Sequence, residues 1–154
     1  TFGRSKPGLA ALIDAHIDGL PAGHASVFIP VAVARLREHL AQGDRVVIAT
    51  GCLEPLARAL LDRAGLGGVS LVASSMRPLL GGWVRERHCF SANKIPMLAE
   101  RGFAPPWAVA YTDHRADLPV LSHSAQRFLV SPRPECLARI QAQFPDATTV
   151  LAWR

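Results

Sequence analysis

The sequence has 154 residues, enough for one domain with a hydrophobic core and little room for a second. Hydrophobic residues make up 49% and charged residues 19%, a balance that excludes an intrinsically disordered chain. The formal charge of +5 is carried almost entirely by arginine, which favours anionic partners such as phosphate esters or acidic lipid headgroups. We expect no nucleic-acid partner, because the sequence has no compact basic run.

The cysteine pattern and the longest apolar run restrict the cellular setting. Cys52, Cys89 and Cys136 are an odd number without C-x-x-C spacing, which predicts neither a disulfide framework nor a zinc site. The uncharged apolar run Ala25–Ala34 is much shorter than the roughly 20 residues of a membrane-spanning helix. We therefore expect a cytoplasmic protein. We also expect the natural protein to begin before Thr1.

The first 43 residues are predicted to be helical. Apolar residues recur at spacings of three and four between Leu9 and Leu20, as in an amphipathic helix that Pro21-Ala22-Gly23 ends. A second helix is predicted over Pro30–Gln42, followed by a turn at Gly43-Asp44. We treat 1–43 as a helical segment and 44–154 as the core of the fold.

From residue 44 onward, apolar runs typical of strands alternate with helical patterns. The predicted strands are 45–49, 69–75, 81–87 (a hairpin arm), 108–112, 126–130 and 148–153, and the predicted helices are 54–64, 92–101 and 134–144. This alternation indicates βαβ units and an α/β fold with a mainly parallel, doubly wound sheet. Right-handed connections place helices on both of its faces.

The stretch 108–119 carries the most specific chemical pattern. An apolar strand ends at Asp113, and Asp117 follows four residues later. Ligands bind at the carboxyl ends of parallel strands, and two carboxylates there suit Mg²⁺ completed by phosphate and water. In the alternative interpretation, Asp113 caps a turn and Asp117 caps the helix that Pro119 opens.

Two further features point to phosphate chemistry. Thr50 and Gly51 lie between a buried strand and a helix, where a hydroxyl and backbone N–H groups can hold a phosphate oxygen. Lys94 is the only lysine after Lys6, and its ammonium suits a transferring phosphoryl group. The alternatives are a helix cap for Thr50 and a solvated lysine in the first turn of a helix for Lys94.

This ordered set resembles the haloacid dehalogenase-like phosphatases of subfamily IB. Thr50, Lys94 and Asp113/Asp117 match the family's second, third and fourth motifs. A narrower resemblance, to the bacterial phosphatidylglycerophosphatase C branch, rests on the segments Thr1-Phe2-Gly3, Gly81-Gly82-Trp83-Val84 and Tyr111-Thr112-Asp113 with Asp117 and Pro119.

The resemblance implies a Rossmannoid three-layer sandwich and a Mg²⁺-dependent phosphomonoester hydrolase that acts through an aspartyl-phosphate. It gives catalytic roles to Lys94, Asp113 and Asp117, metal binding to both aspartates, and phosphate binding to Thr50, Gly51 and Lys94. The implied substrate is phosphatidylglycerophosphate, with a possible membrane-surface partner at the inner face of a bacterial inner membrane. The alternatives are a phosphoserine phosphatase-like enzyme with a small soluble substrate and a non-catalytic binding domain of the same fold.

One family feature is missing. The first motif, Asp-x-Asp on the central strand, does not occur in the sequence, and Asp14 and Asp18 lie on the predicted first helix. The resemblance places that strand between those that carry Thr50 and Asp113. We therefore expect this chain to be a fragment, inactive alone and starting with the end of a cap region, whose missing strand comes from an upstream segment or another chain.

Several residues have weaker cases for a functional role, and an ordinary packing or solvated role is the alternative for each. His88 and Cys89 could line the pocket, Arg85 and Arg87 could meet a lipid headgroup phosphate, and His114 and Arg115 could touch substrate. For Trp83 and Trp107 we expect a place in the core or over the sheet, with membrane anchoring as the alternative.

Overall fold

The computed structural model describes residues 6–20, 28–80 and 82–150. In chain order the elements are α1 (Lys6–Asp18), α2 (Pro30–Ala41), β1 (Val47–Leu53), α3 (Glu54–Arg63), β2 (Ser70–Leu79), β3 (Gly82–Arg87), α4 (Lys94–Glu100), β4 (Trp107–Thr112), α5 (Leu118–Ser122), β5 (Ser124–Val130), α6 (Pro134–Gln143) and β6 (Thr148–Val150). The Thr1-Phe2-Gly3 motif, the predicted break at Pro21-Ala22-Gly23, Gly81 and the end of the last predicted strand lie outside the described residues.

The α/β class and the mainly parallel strand pairing predicted from the sequence are confirmed. The described strands form two three-stranded sheets, β1-β2-β3 and β4-β5-β6, in which only the β2–β3 pair is antiparallel. The chain divides into two compact units, one of which contains α1 and Leu36–Cys89 and the other Ile29–Arg35 and the chain from Phe90 onward. The predicted boundary at residue 43 stays a prediction.

The first unit is built on β2, which pairs on one side with β1 and on the other with β3. Helix α3 packs against β1 and β2, with Ala57 and Leu61 buried. The Arg58 guanidinium donates hydrogen bonds to the carbonyls of Gly67 (2.8 Å) and Val69 (3.0 Å), which ties α3 to the start of β2. Gly65, with φ of +69°, occupies the left-handed conformation that ends many helices.

The second unit packs around five buried residues from β4, α5, β5, α6 and the loop before β6, namely Ala110, Leu121, Leu129, Ile140 and Ala147. Helix α6 reads as amphipathic, with Cys136 and Ile140 buried and its charged side chains exposed. This core holds β4 and the loop after it in place, and that loop carries both predicted acidic residues.

Two strands differ from their predicted form. The predicted strand 45–49 is observed as Val47–Leu53, and it is half-buried where full burial was predicted. β4 is likewise only partly buried: Ala110 and Thr112 are buried, Ala108 is exposed and the other three residues are half-buried. The physical reason is that β1 and β4 each end a sheet, so that no described strand pairs with their outer edges.

Within the described residues, no helix combines the length and the apolar character needed to cross a bilayer.

Candidate functional site

Lys94 is positioned by a tight turn and a short buried helix. Ser91, with φ of +51°, opens a 3₁₀ turn over Ser91–Asn93, and Lys94 is the first residue of α4. Met97 and Leu98 anchor that helix in the second unit. Lys94 itself is only 8% exposed, which contradicts the alternative of a solvated lysine.

Lys94 pairs with the second of the two predicted acids. The distance between Lys94 Nζ and Asp117 Oδ1 is 2.6 Å, within the range of a charge-assisted hydrogen bond. Asp117 ends a 3₁₀ turn over Arg115–Asp117, directly before α5. Its side chain does not cap α5, which contradicts that alternative. The structure therefore brings together two of the residues that the sequence singled out.

Thr112 completes this arrangement, and the sequence analysis assigned it no role. It is the buried last residue of β4, and its hydroxyl donates a hydrogen bond to Asp117 Oδ2 at 2.7 Å. The Thr112 hydroxyl oxygen also accepts the backbone N–H of His114 at 3.1 Å. Both oxygens of Asp117 are thus engaged, one by Lys94 and the other by Thr112. The sequence signal that could have identified Thr112 is its position: a hydroxyl residue at the end of a predicted strand, directly before Asp113.

Asp113 is placed differently from Asp117. It is exposed at the carboxyl end of β4, and its carboxylate makes no hydrogen bond or ion pair with any described residue. Its neighbour His114 accepts the backbone N–H of Ala116 at Nδ1, 3.0 Å away, and so caps the following turn. This bond leaves the proton of a neutral His114 ring on Nε2. His114 thereby has a structural role, while Asp113 keeps its capacity to bind a cation.

The described residues contain no group of three or more His, Cys, Asp or Glu side chains arranged to hold a metal ion. A site of the Mg²⁺ type nevertheless needs only one or two protein carboxylates, because water and substrate phosphate supply the other ligands. Asp113 fits that requirement, because no other residue in the described ranges engages its carboxylate. Asp117 fits less well, because Lys94 and Thr112 already take its two oxygens.

Thr50 and Gly51 belong to the first unit and lie on a bulge. The pairing of β1 with β2 is regular up to Thr50 and resumes only at Leu53, so Gly51 and Cys52 are extra residues. The Thr50 hydroxyl accepts the N–H of Cys52 at 3.1 Å and does not cap α3, whose N-cap is Leu53. Its hydroxyl proton has no acceptor among the described residues and remains available to a ligand.

The bulge is held by a residue that the sequence analysis passed over. Ser74, 2% exposed, donates a hydrogen bond to the Gly51 carbonyl at 2.9 Å and accepts the Cys89 N–H at 3.0 Å. His88 lies nearby, since a Cβ built on Gly51 would be 3.8 Å from its Nε2. The convergence of this bulge with Lys94 and Asp113 stays a prediction.

None of the three cysteines forms a disulfide. Burial raises the pKa of Cys52 from its ordinary value of 9.0, and a hydrogen bond with the Leu53 backbone opposes this in part. Cys89 and Cys136 are fully or almost fully buried. Because thiolates are the reactive form, these environments are not those of a nucleophilic cysteine.

Comparison with solved structures supports the fold. A protein of unknown function from Bordetella pertussis Tohama I is similar, with a TM-score of 0.73, 22% identity, and coverage of 96% of this chain and 68% of that one. A HAD family hydrolase from Salmonella enterica subsp. enterica serovar Typhi is also similar, with a TM-score of 0.64, 18% identity, and coverage of 97% of this chain and 48% of that one. At these identities the likeness shows the fold alone.

The sequence profile of the haloacid dehalogenase-like hydrolases matches residues 2–122. This match covers α1 to α5 and therefore includes Thr50, Lys94, Asp113 and Asp117. With the α/β fold and its parallel strands, it shows that the chain belongs to the haloacid dehalogenase-like hydrolase family.

Proposed function

We propose that this protein is the phosphate-binding and metal-binding part of a Mg²⁺-dependent phosphomonoester hydrolase. The observation that carries the proposal is the buried Lys94 ammonium, held 2.6 Å from Asp117 on the loop that also carries the exposed Asp113. A fixed cation and an acid at the end of a parallel strand suit phosphoryl transfer, in which catalysis is mainly positioning and charge stabilisation.

Lys94 is the residue that would stabilise the transferring phosphoryl group. An ammonium has three N–H donors, and Asp117 takes one of them, so donors remain for phosphate oxygens. The side chain is 11% exposed, and in such a partly desolvated site a charge acts more strongly than in water. Asp117 and Thr112 then act as positioning residues that fix the direction of the ammonium.

Asp113 is the residue of this chain that would bind Mg²⁺. The ion, when bound, would neutralise phosphate charge and orient the substrate. The sequence analysis gave metal binding to both aspartates. We propose a division of roles in which Asp113 binds the ion and Asp117 serves chiefly Lys94, because both Asp117 oxygens already have partners.

Thr50 and Gly51 would grip phosphate oxygens. The Thr50 hydroxyl keeps its proton for a ligand, and Gly51 is exposed on the bulge before α3. Backbone amides in irregular turns form concavities that favour anions. This role requires the bulge and Lys94 to face the same phosphate.

We further propose that the nucleophilic aspartate lies outside these 154 residues, so that this chain alone is inactive. The sequence contains no Asp-x-Asp pair, and the outer edges of β1 and β4 pair with no described strand. A strand that carries the pair, from an upstream segment or another chain, would satisfy these backbone edges and supply the carboxylate that attacks phosphorus.

The proposed substrate is phosphatidylglycerophosphate, which would be hydrolysed to phosphatidylglycerol at the inner face of a bacterial inner membrane. The support is the resemblance of Gly82-Trp83-Val84 and Tyr111-Thr112-Asp113 to the phosphatidylglycerophosphatase C branch. The competing substrate is a small soluble phosphomonoester such as phosphoserine.

The test uses the protein expressed from its complete reading frame. We expect phosphate release from a generic aryl phosphate that depends on added Mg²⁺ and is lost with a chelator. Asp113→Asn should raise the Mg²⁺ concentration needed for half-maximal activity, and Asp117→Asn should lower kcat with little change in that concentration. Equal Mg²⁺ requirements in wild type and Asp113→Asn would refute the metal assignment. Comparing phosphatidylglycerophosphate with phosphoserine decides the substrate.

One observation favours a second function. The absence of Asp-x-Asp from the sequence is what a non-catalytic binding domain of the same fold would show. Such a domain would bind phosphate esters without hydrolysing them. Absence of activity in the complete protein, together with phosphate binding that Lys94→Met abolishes, would establish this alternative.

A further inference from the structure

The hairpin formed by β2 and β3 extends beyond the rest of its sheet. β1 pairs with β2 only as far as Ser74, whereas Ser75–Leu79 pairs with β3 alone among the described strands. Ser75–Leu79 and Gly82–Arg87 therefore form a two-stranded ribbon. We call its distal part, 77–80 together with 82–85, the hairpin tip.

The hairpin tip exposes two consecutive leucines. Leu80 is 99% exposed and Leu79 is 44% exposed. Isolated exposed leucines are ordinary, but Leu80 also has a φ of +47°, a left-handed conformation that costs a non-glycine residue about 1–2 kcal/mol. Asparagine or glycine would suit this turn better. Packing within the described part of the chain thus offers no reason for leucine here.

Arginines flank these leucines on both faces of the ribbon. Directly paired residues of antiparallel strands share a face; Arg77 pairs with Val84, and Arg85 pairs with Met76, one position further from the turn. The two arginines therefore lie on opposite faces. Both are exposed, and neither forms an ion pair with a described residue.

The length of the ribbon sets the distance between the arginines and the leucines. Arg77 lies three residues before Leu80, or about 10 Å along an extended strand. The one acidic residue of β3, Glu86, accepts a hydrogen bond from the Ser75 hydroxyl at 3.1 Å. The hairpin tip thus carries exposed leucines, Leu79 and Leu80, at its end, and positively charged arginines, Arg77 and Arg85, further from the end.

We propose that the hairpin tip docks onto an anionic phospholipid surface. Leu79 and Leu80 would enter the boundary between headgroups and acyl chains, at a depth of about 5–10 Å. Arg77 and Arg85 would then lie at the level of the lipid phosphates. Charge on both faces fits insertion tip first into a layer that surrounds the ribbon, whereas a protein partner on one face would leave one arginine unused. The proposal does not depend on the proposed hydrolase activity.

Cosedimentation of the complete protein with vesicles tests the proposal. Vesicles of phosphatidylcholine alone are compared with vesicles that also contain phosphatidylglycerol, at low and at physiological ionic strength. We expect binding only to the anionic vesicles, weakened by salt. Leu80→Asn should lower the partition coefficient about tenfold. Arg77→Gln and Arg85→Gln should each lower it about fivefold.

The variants have matched controls. Arg139→Gln removes one charge from the exposed side of α6 and should leave binding nearly unchanged. Leu40→Gln is the control for Leu80→Asn. It removes a leucine of α2 that is 39% exposed and lies outside the hairpin tip, and it should also leave binding nearly unchanged. Leu80→Asn should fold at least as well as the wild type, because asparagine tolerates positive φ.

Three results would overturn the proposal. They are wild-type binding by Leu80→Asn, equal binding to neutral and anionic vesicles, and self-association that Leu80→Asn abolishes while vesicle binding stays intact. The last would show that a second copy of the protein covers the tip.

Discussion

Replacing Asp117 by asparagine should destabilise the protein strongly, and a second substitution at Lys94 should restore much of the loss. Asparagine keeps the shape of Asp117 and can still accept the Thr112 hydroxyl, but it leaves the Lys94 ammonium without a counter-charge. The side chains of Lys94 and Asp117 are 11% and 17% exposed, so water compensates little. Removing one partner of a buried pair costs about 3–5 kcal/mol, and the residual exposure here favours about 3 kcal/mol.

The direction of the stability change in the double variant is the sharper expectation. Lys94→Met in the Asp117→Asn background removes the uncompensated charge and replaces it with an apolar chain of similar length. Exchanging a buried ion pair for a neutral, well-packed pair is often nearly neutral for stability. The double variant should therefore be more stable than Asp117→Asn alone, with a coupling energy of about 2 kcal/mol.

Urea denaturation of the complete protein measures these differences. Asp146→Asn provides a matched control, because Asp146 also pairs with a cation, Arg127 at 2.9 Å, but is 67% exposed. Such surface pairs contribute about 1 kcal/mol or less. If Asp117→Asn costs no more than Asp146→Asn, or if the double variant is the least stable, the buried-pair reasoning is wrong.

Three further predictions concern residues around the site. Thr112→Val should cost about 1.5–3 kcal/mol in urea denaturation, because it removes a hydroxyl that bonds a carboxylate, while Thr112→Ser should cost clearly less. Ser91→Val should lose about 1–2 kcal/mol of stability, because a β-branched residue fits φ of +51° poorly, and Ser91→Asn should be nearly neutral; equal effects would refute the argument. Because the pKa of Cys52 is raised in the folded state, its contribution to stability is present below pH 9.0 and is lost as the pH rises above that value. Cys52→Ser should reduce that alkaline loss in thermal denaturation scans, and native Cys52 should react with thiol reagents more slowly than a free thiol at the same pH.

The sequence located most elements because their signals are local. Helix α3 ends close to Gly65, which adopts positive φ, and α4 ends at Glu100, two residues before Gly102 with φ of +81°. The order of strands and helices followed from changes of hydrophobic period along the chain. The strand limits were less accurate, because the length of β1 and β2 depends on which neighbour pairs with each residue.

By itself, the sequence determined the α/β class and the family, and it predicted the chemical types of the candidate site, since motifs are properties of residue type and order. Only the tertiary structure decided how those groups are used. Lys94 and Asp117 are 23 residues apart, and no local pattern predicts that one carboxylate bonds both Lys94 and Thr112 while Asp113 bonds no residue in the described part of the chain. The pairing of Asp117 with Lys94 and Thr112 depends on where β4 and α4 lie in the folded second unit. Hydrogen bonds form only between groups that long-range packing brings within about 3 Å.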